Sequence, residues 1–217
     1  MNRPVRLIGL PTDSHSSFLR GAAAAPAAIR AALASDHGNM AAENGLEIGI
    51  DIVLEDAGDL PLTEGEGDAA LIRAAFAVAA RQGAVPIGLG GDHMVSFPCV
   101  AGLAGVHGPL EILHFDAHSD LYDDFEGDPL SHASPFARIM EAGLARRLVQ
   151  VGIRTLNRHT SEQAPTSLKR RIWKRERARG ATMMRWSPVS ARVPRRCGKL
   201  SSGVSLTTWP TLAKAAS

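Results

Sequence analysis

At 217 residues, 45% of them apolar, the chain is long enough to bury one good-sized core, and a single domain is the default. No apolar run approaches the roughly 18 residues of a membrane span, and the first residues lack a signal-peptide pattern. The two cysteines, Cys99 and Cys197, are too few for a disulfide framework, so a cytoplasmic location is expected.

Residues 5–10 (Val-Arg-Leu-Ile-Gly-Leu) read as a short strand stopped by Pro11, and the Ala-rich stretch 22–34 as a helix with Pro26 near its first turn. Residues 48–54 form a second apolar, β-branched run. The stretch 68–81 is helical in composition throughout, with Asp68 as N-cap and Gly83 as the residue that closes it. Residues 84–89 and 110–115 are nearly continuous apolar runs bounded by glycine, with a helix-like segment over 95–104 between them. Continuous rather than alternating apolarity predicts strands covered on both faces. A helix over 135–142, stopped by Gly143, and a strand over 148–153 complete the order. This alternation predicts an α/β three-layer sandwich with a parallel sheet, whose chemistry lies at the carboxyl ends of the strands.

The net charge of +2 hides an asymmetry: residues 165–217 hold 13 of the 24 Lys and Arg and only one acid, Glu176. The tail therefore sits near +12 and the remainder near −10, which divides the chain into an α/β domain over 1–164 and a basic, irregular segment over 165–217.

The strongest constellation is Asp116-Ala-His118-Ser-Asp120, placed where the 110–115 strand runs out. Alternate positions of an extended backbone project to one side, so three ligands converge on one or two metal ions. His93, in Gly90-Gly91-Asp92-His93, stands at the end of the preceding strand, where glycines permit a sharp turn. Each motif also has a plainer reading, a loop histidine and a polar turn, but their joint position at consecutive strand ends favours the metal site. The loop 123–128 is acidic and is either a field that attracts a cation or an ordinary solvated loop. His114 is read as a buried strand residue, and His15, His37, His107 and His159 as structural or solvent-facing.

Gly90-Gly91-Asp92-His93 and Asp116-Ala-His118-Ser-Asp120-Leu-Tyr122-Asp123 are similar to the first two signature motifs of the ureohydrolases, the arginase and agmatinase family. Ser131-His132-Ala-Ser-Pro135-Phe136 resembles their histidine loop, and Gly9-Leu-Pro11-Thr-Asp13 with Arg20-Gly21 resembles their first strand and helix. Val151-Gly152-Ile153-Arg154 resembles the strand after the histidine loop, so the likeness covers roughly residues 5–164. Tyr122-Asp123 resembles agmatinase-like members more than arginase proper.

The resemblance implies an arginase-like fold, and a Mn²⁺ pair in which His93, Asp116 and Asp120 hold one ion while His118 and the bridging Asp116 hold the other. It implies hydrolysis of a guanidino carbon–nitrogen bond with release of urea, His132 acting as proton shuttle, or else standing as an exposed loop histidine. A small cationic guanidino substrate and a homo-oligomer are the implied partners. The chain departs from the family where it supplies two further metal-binding aspartates, because no aspartate follows Asp128. Weak occupancy of the second position, little hydrolysis, an open sheet edge and exposed apolar surface are therefore expected. The abrupt change near Pro165 suggests a shifted reading frame, testable by translating the coding DNA in its other frames. Two rival readings are an inactive metal-binding fragment and a nucleic-acid arm built on Lys169-Arg170-Arg171, Trp173 and Lys174-Arg175. A charge run alone is more often a solvated segment, which disfavours the nucleic-acid reading.

Overall fold

The computed structural model describes residues 3–155 and the two-residue strand Met183–Met184. The basic segment 165–217, apart from the backbone of that strand, lies outside the described residues, and with it the reading-frame and nucleic-acid expectations. Strand β1 is Val5–Leu10, followed by a 3₁₀ turn and helix α1, Ala25–Leu33, with Pro26 in the first turn, where a missing N–H costs nothing. Next come β2 (Leu54–Asp59), α2 (Asp68–Arg81), β3 (Val85–Gly90) and α3 (Ser96–His107). The remaining elements are β4 (Leu110–Phe115), α4 (Pro135–Glu141), β5 (Ala145–Val151) and β6 (Met183–Met184).

Every strand pair is parallel, as the alternation of elements requires, but the strands form two sheets rather than one: β2-β1-β3 and β4-β5-β6. Consecutive strands joined by a helix need not pair, and β3 and β4 do not. In the first sheet Ile8 and Leu10 face α2, packing with Ile72, Phe76 and Ala79. The neighbouring residue Gly9 faces the other way, toward Arg30 of α1, so helices cover both sides. Helices α2 and α3 meet at Gly102, where a Cβ would lie 2.4 Å from the Arg73 carbonyl oxygen. Burial of Phe76 at 3% exposure stabilises this layer by about 2 kcal/mol.

Among the described residues the second sheet is covered on one side. Ile112 and Leu148 pack with Phe136 and Ile139 of α4, while Leu113 and Phe115 on the other face of β4 are 57% and 70% exposed. The expectation of strands covered on both faces therefore fails for β4, and the expected apolar exposure is found there.

Two element positions differ from the sequence reading. The second strand is Leu54–Asp59, not 48–54; the apolar run instead forms a loop closed by an Ile48–Ile52 bridge, with Ile50 76% exposed. Strand β5 starts three residues earlier than expected, at Ala145. Asp68 does not cap α2, whose N-cap is Gly67; its carboxylate accepts instead from the Thr63 and Glu64 amides, at 3.1 and 2.7 Å.

Candidate metal centre

Gly90 ends β3 and the chain turns at once into a 3₁₀ turn, His93–Val95, that leads into α3. Gly91 makes the turn feasible, since a Cβ there would lie 1.6 Å from the Thr12 carbonyl oxygen. Asp92 caps the turn: its buried carboxylate accepts from the Met94 amide and the His15 amide, each at 2.9 Å. Burial pushes the Asp92 pKa up against these bonds and the nearby charges of His15 and His132. The glycine thus serves a close backbone crossing rather than a turn beneath an ion, and His93 is aimed by the capped turn that follows.

From β4 the chain leaves sheet geometry at Asp116. Four groups converge here: His93, His114, Asp116 and Asp120 each offer one ligand atom within 4.8 Å of the others. His93 Nδ1 lies 2.8 Å from Asp120 Oδ2, yet that oxygen has no hydrogen-bond partner although it is buried. His114 Nε2, 3.7 and 3.8 Å from Asp116 and Asp120 oxygens, is likewise buried and unpartnered. A buried carboxylate oxygen is normally satisfied, so Asp120 Oδ2, with only the His93 imidazole beside it, fits a cation. Asp120 holds φ near 50°, a region that Asp enters more readily than most residues, and its carbonyl accepts from the Phe136 amide at 3.1 Å.

Protonation states follow from the surroundings. Burial lowers the His93 pKa, but the close Asp120 and the charges of Asp116 and Asp92 outweigh it and leave the value raised. Burial works against the Asp116 carboxylate too, and the His118 amide at 2.7 Å together with the charges of His114 and His93 holds its pKa down. His114 is shifted down, first by burial and then by the charge of His93. Gln150 Nε2 donates to His114 Nδ1 at 3.0 Å and to the Ser119 carbonyl at 2.7 Å. A neutral imidazole that accepts at Nδ1 carries its hydrogen on Nε2, so His114 presents N–H toward the two carboxylates rather than a lone pair toward an ion. His114 therefore orients ligands, as its reading as a buried strand residue allows, and three donors are left: His93, Asp116 and Asp120.

His118 lies outside this group. The 116–120 segment is bent, not extended, so alternate side chains do not share one side, and the expectation built on that alternation fails. The His118 side chain is 63% exposed, with Nδ1 3.1 Å from Asp116 Oδ1, while Asp116 Oδ2 faces His114. His132 is placed apart as well: its Nδ1 and backbone amide both reach the His15 carbonyl oxygen, at 3.0 and 3.2 Å. His15 Nδ1 in turn meets Asp128 Oδ2 at 2.8 Å. His15 was read as lacking company because its partners stand far along the sequence, and nothing local in the chain signals them. The acidic loop is largely occupied by its own neighbours: Asp124 accepts from the Gly127 amide, and Asp128 binds His15 and the Leu130 amide. A cavity of about 320 Å³ touches Thr12, His15, Asp68 and Asp92 but none of His93, Asp116 or Asp120, so it is not the ion position.

Comparison with known proteins agrees with this geometry. The profile described as the Arginase family matches residues 3–204, beyond the end of the motifs legible by eye. The mitochondrial arginase 1 of Arabidopsis thaliana is 46% identical over 166 residues, covering 72% of this chain and 48% of its own length. The agmatinase of Bacillus anthracis is 32% identical over 154 residues, covering 70% of this chain and 52% of its own. The solved arginase of Medicago truncatula superposes with a TM-score of 0.70 at 42% identity, over 76% of this chain and 54% of that one. The chain thus spans about half the length of the curated relatives it matches. Identity to the arginases exceeds that to the agmatinase, so Tyr122-Asp123 does not by itself place the chain on the agmatinase side.

Proposed function

The chain belongs to the arginase family, and from that premise we propose that the centre at the β3 and β4 tips binds Mn²⁺ and serves hydrolysis of a guanidino carbon–nitrogen bond with release of urea. The observation that carries this is the convergence of His93, Asp116 and Asp120, each offering one ligand atom within 4.8 Å of the others. Two carboxylates and one imidazole make an oxygen-rich set, which suits Mn²⁺ better than a thiolate-preferring ion. Bound there, the cation supplies a water acidic enough to attack at neutral pH.

The protein's own residues do the rest. Gln150 fixes the His114 tautomer, and the Nε2–H of His114 faces the Asp116 and Asp120 carboxylates at 3.7 and 3.8 Å, an electrostatic contact that favours their charged forms. His132 donates from Nδ1 to the His15 carbonyl, which leaves a lone pair on Nε2 to take a proton from water and return it to the departing amine. Asp116, whose Oδ1 faces His118 and whose Oδ2 faces His114, would help to hold a second ion together with His118. No aspartate follows Asp128, so with these two donors a second ion would bind weakly and turnover by this chain would be low.

Arginine is the first substrate to test, because arginases are the more similar relatives, and agmatine is the second. Equilibrium dialysis with metal analysis is expected to give one Mn²⁺ per chain, with little urea from either compound. Two tightly bound Mn²⁺ with rapid urea release would overturn the impairment, and no Mn²⁺ binding would overturn the site.

A further inference from the structure

We infer that the unpaired edges of β3 and β4, with the bare face of β4, form a docking surface for a second polypeptide: the part of an arginase-family fold that lies outside the stretch matched by this chain, entering as parallel strands. This rests on family membership and on the sheet topology, and not on the hydrolytic reading.

The two sheets have four edge strands among the described residues, β2, β3, β4 and the two-residue β6, and they are not alike. The outer edge of β2 is protected, since Glu55 is paired with Arg6 and both Asp56 and Asp59 are paired with Arg30, a charged edge that resists further pairing. Strand β3, Val-Pro-Ile-Gly-Leu-Gly, and β4, Leu-Glu-Ile-Leu-His-Phe, carry between them a single charged residue, Glu111. Such strands have the composition of sheet interiors. Yet among the described residues β3 pairs only with β1, and β4 only with β5. Their N–H and C=O rows on these edges have no strand partner among the described residues, and Ile87, Leu113 and Phe115 are 43, 57 and 70% exposed beside them.

The two edges belong to one gap. At their carboxyl ends they are tied together, His93 after β3 lying 2.8 Å from Asp120 after β4. All existing pairs are parallel, so an inserted strand that continues both sheets would end at the same centre. The Medicago truncatula arginase leaves a little under half of its chain without counterpart here, enough for several strands and helices. A second copy of this protein fills the gap poorly, because a two-fold axis would set β4 antiparallel to its own image and leave β3 open.

The test mixes the full 217-residue protein with the uncovered part of the Medicago truncatula arginase made as a separate polypeptide, the two being co-expressed if that polypeptide precipitates alone. A one-to-one complex is expected by sedimentation. Amides of β3 and β4 should exchange rapidly in the protein alone and slow by at least a hundredfold in the complex, while β2 is unchanged. Leu113→Lys should weaken association at least tenfold, and Ile50→Lys, on a still more exposed loop residue, should not. Absence of a complex overturns the inference. So does finding the β3 and β4 amides already protected in the protein alone, which means that its own residues or a second copy occupy the gap, and so does indifference to Leu113→Lys.

Discussion

The two sheets of this molecule answer the same problem differently. The first, β2-β1-β3, carries helices on both faces, charged pairs along its outer strand and backbone so closely crossed at Gly91 that no side chain fits. The second, β4-β5-β6, is packed on one face by α3 and α4 and presents Leu113 and Phe115 on the other. The metal centre takes His93 from the first and both carboxylates from the second. A site at such a seam depends on a rigid half for aim and on a half-finished one for charge.

The largest expected effect tests that rigidity. Gly91→Ala forces a Cβ onto the Thr12 carbonyl and should cost at least about 3 kcal/mol, read as loss of the thermal transition. By contrast, Leu113→Ser on the bare face should change stability by less than about 0.5 kcal/mol. Equal losses from the two would erase the distinction between the sheets.

At the centre itself, Asp120→Ala should weaken Mn²⁺ binding by roughly a hundredfold or more, whereas His118→Ala should weaken the first ion by less than about tenfold, both by calorimetric titration. If the two losses matched, His118 would turn toward the ion on binding, and its exposed position would describe only the metal-free protein. A loss smaller than that of Asp120→Ala, about tenfold, is expected for Gln150→Met, which frees the His114 tautomer without touching a ligand. The smallest effect lies on the first sheet's side. The Gly21 and Ala23 amides and the Arg20 guanidinium hold the Asp13 pKa at about 2, below the ordinary 3.8. Because the folded-state value is depressed, its contribution is complete above about pH 4 and is lost as pH falls toward 2. Urea midpoints at pH 5 and pH 3 should therefore differ less in Asp13→Asn than in the parent protein.

Where burial and local chemistry agree, the sequence was legible. Strand β1, helix α2 and strand β4 have the limits that their apolar runs and flanking glycines suggest. Strand β2 was hidden because its residues, Leu-Glu-Asp-Ala-Gly-Asp, are chosen for ion pairs at an edge and carry no apolar signal, while the apolar run before it lies in a loop. The split into two sheets was also hidden, since the order of elements says that strands are parallel but not which ones pair. In the centre, His93, Asp116 and Asp120 could be picked out by their place at strand ends, which is a property of the fold class. The separate station of His118 depends on one left-handed residue, Asp120, and the roles of Gln150 and His15 depend on partners 31 to 117 positions away. No local pattern encodes those.

Phe136 touches both imidazoles of the centre, its ring 4.1 Å from that of His114 and 5.6 Å from that of His93. An aromatic wall there does more than pack: it keeps polarisable solvent away from one hemisphere, so charge introduced between the tips is felt there with little screening. The His118 side chain, 63% exposed beside Asp116, lies on the wet side of the centre. A molecule approaching from that side an ion seated at this seam would meet His118 first.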